Sequence, residues 1–129
     1  MRFTLDVPVE KRRIQPRDAI RLDLEFPPVS GGEALADWTA RSAGVLASLK
    51  PGRVPGPVRL TLTYEERAGR RDLDHLIRPV VDLCVRHALI DGDHRGTLRE
   101  VRAGWGAGHR GVRITIEPAR DADTSVYAL

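Results

Sequence analysis

Two aspartates one residue apart stand in the run Asp72-Leu73-Asp74-His75, which is followed by Arg78, Asp82 and a second acidic pair, Asp91-Gly92-Asp93. Carboxylates this close repel one another, so a fold that presses them together needs a positive charge to offset the cost. A third carboxylate, Asp93, lies past an apolar, helix-like run and can fold back onto the first two. Hard divalent cations take such all-oxygen ligand sets. In an arginine-rich chain, that combination points to phosphodiester chemistry.

The residues that must position these groups read as a compact α/β (α+β) layout. Phe3, Leu5 and Val7 alternate with polar residues, as do Ile20, Leu22, Leu24 and Phe26, and both runs predict half-buried strands. Between them, residues 10–18 are charged, contain Pro16 and turn the chain. Pro27-Pro28 ends the second strand and Ser30-Gly31-Gly32 makes a loop. Over residues 33–50 the positions Leu35, Trp38, Val45, Leu46 and Leu49 form a helical stripe that Pro51-Gly52 stops. Val58, Leu60, Leu62 and Tyr64 give the clearest strand, and a polar, basic loop over 65–71 delivers the chain to Asp72.

The spacing predicts a second helix over 76–89, with Leu76, Val80, Leu83, Cys84 and Ala88 inward. Pro79 complicates it, because an interior proline loses a hydrogen bond and costs about 3 kcal/mol. The helix is therefore expected to begin near Leu76 or to kink there. Residues 98–105 and 112–117 are expected to form a hairpin around Gly106-Ala107-Gly108. The whole is a single domain over 1–129: a mixed sheet of about five strands with two helices on one face. Residues 1–18 form an extra N-terminal strand and loop, and 118–129 a frayed tail.

In this layout Asp72 and Asp74 enter the second helix and Asp93 lies past its far end. A helix over 76–89 spans about 20 Å. The acidic groups meet if the loop carrying Asp93 runs back along the helix, or if Asp93 meets the pair of a second subunit. Each aspartate has a plain structural role as well. Asp72 can cap the helix and Asp74 can favour its positive end, each stabilising by about 0.5–1 kcal/mol, while Asp91-Gly92-Asp93 can be an ordinary turn. Taken singly the structural roles are the commoner; the pair, the basic Arg78 and the later Asp93 together favour a site.

Composition sets limits on the rest. The chain has 129 residues, a net charge of +3 and 41% hydrophobic residues, enough for one modest core. No apolar run approaches membrane-spanning length, and the start Met1-Arg2-Phe3-Thr4-Leu5-Asp6 has no apolar signal core; a cytoplasmic protein without a membrane partner is expected. The single cysteine, Cys84, sits in an apolar stretch and reads as a buried, inert thiol. All basic residues but Lys11 and Lys50 are arginine, whose planar fork suits phosphate oxygens, although arginine-favouring codon usage explains the bias equally well. Arg67, Arg70, Arg71 and Arg78 are the nearest candidates for DNA phosphate contacts. The four histidines show no zinc-type spacing, and there is no P-loop, nucleophile elbow or dinucleotide fingerprint. Trp105 reads either as a base-stacking residue or, more commonly for its type, as a core or rim residue.

The run Arg71-Asp72-Leu73-Asp74-His75-Leu76, Arg78, Asp82 and Ile90-Asp91-Gly92-Asp93 resembles the RusA family of Holliday junction resolvases. That family's motif runs D-x-D-N, a lysine one turn on, an aspartate four residues later and then a paired D-D. The resemblance covers about residues 20–117, and only 72–93 is diagnostic. It implies a small magnesium-dependent endodeoxyribonuclease, with Mn²⁺ as a substitute ion, that cuts four-way or branched DNA as a C2 homodimer and leaves 5′-phosphate ends. It also implies that Asp72, Asp74 and Asp93 are the catalytic, metal-holding carboxylates, with Arg78 the positive charge near the scissile phosphate. Three positions depart from the pattern: His75 replaces asparagine, Arg78 replaces lysine and Gly92 replaces the first paired aspartate. An arginine fork does not reproduce an ammonium's geometry. The other reading is therefore a weakly active or inactive DNA-binding or interaction domain on the same fold.

Overall fold

A computed structural model of the chain describes residues 15–28, 31–66 and 72–119. Four strands and two helices follow in the order β1 (Ile20–Leu24), α1 (Gly32–Leu49), β2 (Val58–Glu65), α2 (Leu73–Arg86), β3 (Leu98–Gly106) and β4 (Val112–Pro118). The strand expected over residues 3–7 lies outside the described residues, as do most of the expected tail and the loop bearing Arg67, Arg70 and Arg71.

Strict alternation decides which side of the sheet is covered. Ile20, Leu22 and Leu24 of β1, Val58, Leu60, Leu62 and Tyr64 of β2, and Val112, Ile114 and Ile116 of β4 are all buried, and the residues between them are not. Successive side chains of a strand point to opposite faces, so these residues form one apolar face. Trp38 and Leu46 of α1 and Leu76, Val80, Val81, Leu83 and Cys84 of α2 join them in one core. The opposite face carries ion pairs, among them the two-pronged Arg113–Asp23 contact at 2.8 and 3.0 Å and Arg59–Glu100 at 3.0 Å. The result is the expected α+β architecture.

Connectivity differs from expectation at one place. The sheet order is β1-β4-β2-β3, with β2 and β3 parallel and β4 antiparallel to both β1 and β2. Residues 98–105 and 112–117 therefore do not form a hairpin. They flank β2 on either side, and β2-α2-β3 is a parallel crossover unit of the kind a helix connects. The register pairs Leu60 with Val101, Leu62 with Ala103 and Tyr64 with Trp105, so β3 turns its apolar residues to the helix side. A closed hairpin would leave β2 without its second neighbour.

The second helix is also displaced from the expected span. It starts at Leu73 and ends at Arg86, with Pro79 inside it. Proline has no N–H to give the carbonyl of His75, and its ring crowds that turn. The next carbonyl, of Leu76, accepts a hydrogen bond from the hydroxyl of the buried Tyr64 on β2. This tertiary contact ties the helix to β2 one residue from the carbonyl that the proline leaves without its donor. At the other end Ala88 adopts a left-handed φ of 58°. The amide of Leu89 bonds the carbonyl of Cys84 at 2.9 Å and that of Ala88 bonds Val85 at 3.1 Å. These are the two crossed bonds of a Schellman stop. It turns Leu89 and Ile90, both buried, back into the core and reverses the chain. Ala88, expected inward, is the left-handed stop itself and is only half buried.

Candidate functional site

Asp72 occupies the N-cap position of α2 in an extended conformation, with ψ of 125°, and its side chain makes no capping hydrogen bond. The capping role open to it is not used. Asp74 is in the first helical turn and exposed, where the positive end of the helix dipole favours a carboxylate. Arg78 and Asp82 follow at successive four-residue steps, so Asp74, Arg78 and Asp82 form one stripe along the exposed side of α2.

Asp93 reaches that stripe from the loop beyond the helix. Its Oδ2 accepts a hydrogen bond from Arg78 Nη1 at 3.0 Å, and the same nitrogen lies 3.4 Å from Asp82 Oδ1. The loop beyond Arg86 has therefore returned within reach of the long Arg78 side chain. Asp74 stands one further turn away, about 6 Å along the axis. The hydrogen bonds of Asp82 and Asp93 raise the pKa of Arg78, already a permanent cation. The side chains are well exposed, 65% for Arg78 and 49% for Asp93, and exposed pairs of this kind stabilise weakly.

The loop stops where it does because neighbouring residues pin it. Asp91 accepts from Arg53 Nη1 at 2.8 Å and from the backbone N–H of Gly56 at 3.0 Å. The Gly56 amide first and the Arg53 guanidinium second hold the Asp91 carboxyl below its ordinary pKa, against a smaller opposing effect of burial. Arg53 is itself anchored by backbone bonds to residues 15 and 17. Gly92 is buried, and a Cβ there would lie 3.2 Å from Thr97 Oγ1 and 3.3 Å from the His94 ring. A side chain at that position would press on the Thr97 and His94 side chains, which would have to shift by a few tenths of an ångström. His94 accepts from the Gly96 amide through Nδ1 at 3.2 Å, while its carbonyl receives the Thr97 and Leu98 amides at 2.9 and 2.8 Å. Its role is to close the turn.

The structure thus gathers Arg78, Asp82 and Asp93, but not Asp72, Asp74 and Asp93. Among the described residues no three carboxylate, histidine or cysteine side chains lie together in a way that could hold a cation. Asp93 is engaged by Arg78 instead of by the Asp72–Asp74 pair. Cys84 is fully buried, and desolvation pushes its thiol up to about 12, as expected of an inert packing residue.

Sequence reasoning favoured a core or rim role for Trp105 and read Phe26 only as part of a half-buried strand. At the carboxyl end of β3, Trp105 is 39% exposed and lies nearly parallel to Phe26, with centroids 6.4 Å apart and planes at 19°. Phe26 meets Tyr64 edge-on at 5.8 Å. The only sequence signal for this cluster was the aromatic type at the ends of three predicted strands. No helix among the described residues is long and apolar enough to cross a membrane. Neither a protein-family model nor a curated protein matches the chain, so the likeness to the RusA resolvases rests on residues 72–93 alone.

Proposed function

We propose that the chain is a metal-dependent endodeoxyribonuclease acting on branched DNA, with Asp72, Asp74 and Asp93 as its acidic groups and Arg78 as its phosphate-side cation. The observation that carries the reading is the single exposed stripe of α2. Asp74, Arg78 and Asp82 share it, and Asp93 is drawn to it from a loop that the Schellman stop reverses. Asp72 adds an exposed carboxylate that does no capping. The reaction class follows from the acid-and-arginine motif, with Mg²⁺ or Mn²⁺ as the expected cofactor. Symmetric cutting of a four-way junction requires two sites related by a twofold axis, so the reading includes a C2 homodimer. Arg67, Arg70 and Arg71, immediately before Asp72 in the chain, are the further candidates for phosphate contact.

A second reading is a junction-binding domain without catalysis. It is favoured by the engagement of Asp93 with Arg78 and by the lack of a cation-sized group of ligands among the described residues. One experiment separates the two: incubation of a synthetic four-way junction with and without Mg²⁺ or Mn²⁺, alongside Asp74→Asn. The nuclease reading expects cutting that needs the ion and falls to the metal-free level in the variant. Binding without cutting, tightened when Asp74 loses its charge, supports the binder instead.

A further inference from the structure

We propose that Trp105 is a stacking platform for an unpaired nucleobase, set beside the acidic end of α2. The inference rests on the reading of the chain as a protein of branched DNA and deepens it, because it names the part of the substrate recognised.

Parallel strands joined by a helix bring three things to one end of a sheet: the carboxyl ends of the strands and the amino end of the helix between them. Here that end holds Tyr64 and Trp105, paired in register on the helix side of the sheet, together with the first turn of α2 bearing Asp72 and Asp74. The ring system is tied directly to the helix. The Tyr64 hydroxyl donates to the Leu76 carbonyl, Phe26 packs edge-on against Tyr64, and Trp105 lies nearly parallel to Phe26. Tyr64 is wholly buried, so the assembly stands on the core and is not carried by a free loop.

Trp105 is nevertheless 39% exposed, whereas the other tryptophan, Trp38, is 1% exposed and gives its indole N–H to the Glu25 carbonyl at 3.0 Å. Trp105 has no hydrogen bond of this kind, and its contacts are with rings. An indole braced by a near-parallel phenyl ring and left open to water is a flat, rigid apolar surface. Every nucleobase has a π-face that stacks on such a surface whatever its sequence. In paired duplex DNA those faces are already occupied by neighbouring bases, whereas a branch point or flap exposes them. The occupant expected at Trp105 is therefore an unpaired base next to the phosphates that face α2.

The two tryptophans make a direct test, since only Trp105 is accessible to a ligand. Tryptophan emission is followed while the full chain is titrated, without metal, with a short oligothymidine and separately with a fully paired duplex of equal length. Quenching by the oligothymidine exceeding that by the duplex is expected. Trp105→Ala is expected to weaken oligothymidine binding, followed by anisotropy of a labelled strand, by roughly 5- to 150-fold, the range for losing one stacked base. Trp105→Phe, which keeps a π-face, is expected to bind within a few-fold of the parent and guards against a folding defect in the alanine variant. Binding with unchanged indole emission, or equal binding by parent and Trp105→Ala, overturns the inference and leaves the nuclease reading standing. Absence of any DNA binding by the folded protein overturns both. Quenching and loss in the alanine variant without metal-dependent cutting support the platform and remove the nuclease alone.

Discussion

Asp91 and Asp93 are separated by one residue and have different environments. Asp91 is held by the Gly56 amide and the Arg53 guanidinium, whereas among the described residues Asp93 meets only the exposed Arg78. The difference gives a pH signature. The Asp91 carboxyl titrates below its ordinary 3.8 in the folded chain. As pH falls, the unfolded chain protonates first, so the stabilisation is complete above that ordinary value and is lost as pH drops through the lowered native one. A separate descent begins higher. Burial chiefly, and Arg86 next, lower the pKa of His87 from 6.5, and its Nε2 is buried without a partner. Below 6.5 the unfolded chain takes up a proton that the folded imidazole resists, and stability falls until the native value is passed. Urea unfolding followed across pH is expected to show both descents. Asp91→Asn is expected to flatten the acid one and leave the His87 one in place; an unchanged acid slope would show that Asp91 is not its source.

At the scale of the element, α2 is the part whose integrity the site depends on, and its weak point is Pro79. Next to the turn that the proline disrupts, Tyr64 donates to the Leu76 carbonyl and fastens α2 to β2. The hydroxyl is buried, and that burial, with the nearby Cys84, pushes its pKa upward, so it remains a neutral donor. Tyr64→Phe keeps the ring contacts and removes only the hydrogen bond to the Leu76 carbonyl, at a cost of about 0.5–1.5 kcal/mol. The expected outcome is a loss of global stability of that order with faster amide exchange at the start of α2, where Asp74 sits. Exchange protection unchanged in the first turns of α2 would mean that the proline is tolerated without the tyrosine.

At the scale of the molecule, one core serves all six elements, so its central row affects every part of the chain. Leu22, Ile114 and Leu62 are register partners across β1, β4 and β2, and all three are buried. Ile114→Ala opens a cavity at the middle of that row and is expected to cost roughly 2–5 kcal/mol, a large share of the 5–15 kcal/mol that a domain of this size typically has. Denaturant unfolding by tryptophan fluorescence and by far-ultraviolet dichroism should shift together, since sheet and helices have no separate core to fall back on. Transitions that come apart would divide the molecule into two cooperative units.

Local periodicity determined a good deal by itself. The alternation in Val58–Glu65 specifies a strand with one buried face, and the stripe of Leu35, Trp38, Val45, Leu46 and Leu49 specifies a helix, although only Trp38 and Leu46 of it are buried while Val45 and Leu49 stay 41% and 54% exposed. The types and spacing of Asp72, Asp74, Arg78 and Asp93 were equally visible. Long-range contacts decided the rest. Whether β3 pairs with β4 or lies parallel to β2 depends on residues far apart in the chain, and nearness along the sequence pointed to the wrong partner. The start of α2 was masked by Pro79, which reads locally as a helix boundary although the packed helix runs through it. The return of Asp93 to Arg78 follows the local Schellman stop but is fixed by the Arg53 and Gly56 contacts to Asp91, which join residues far apart in the chain. Residue type and spacing can name the groups a site would use, but only the packed chain determines which of them meet.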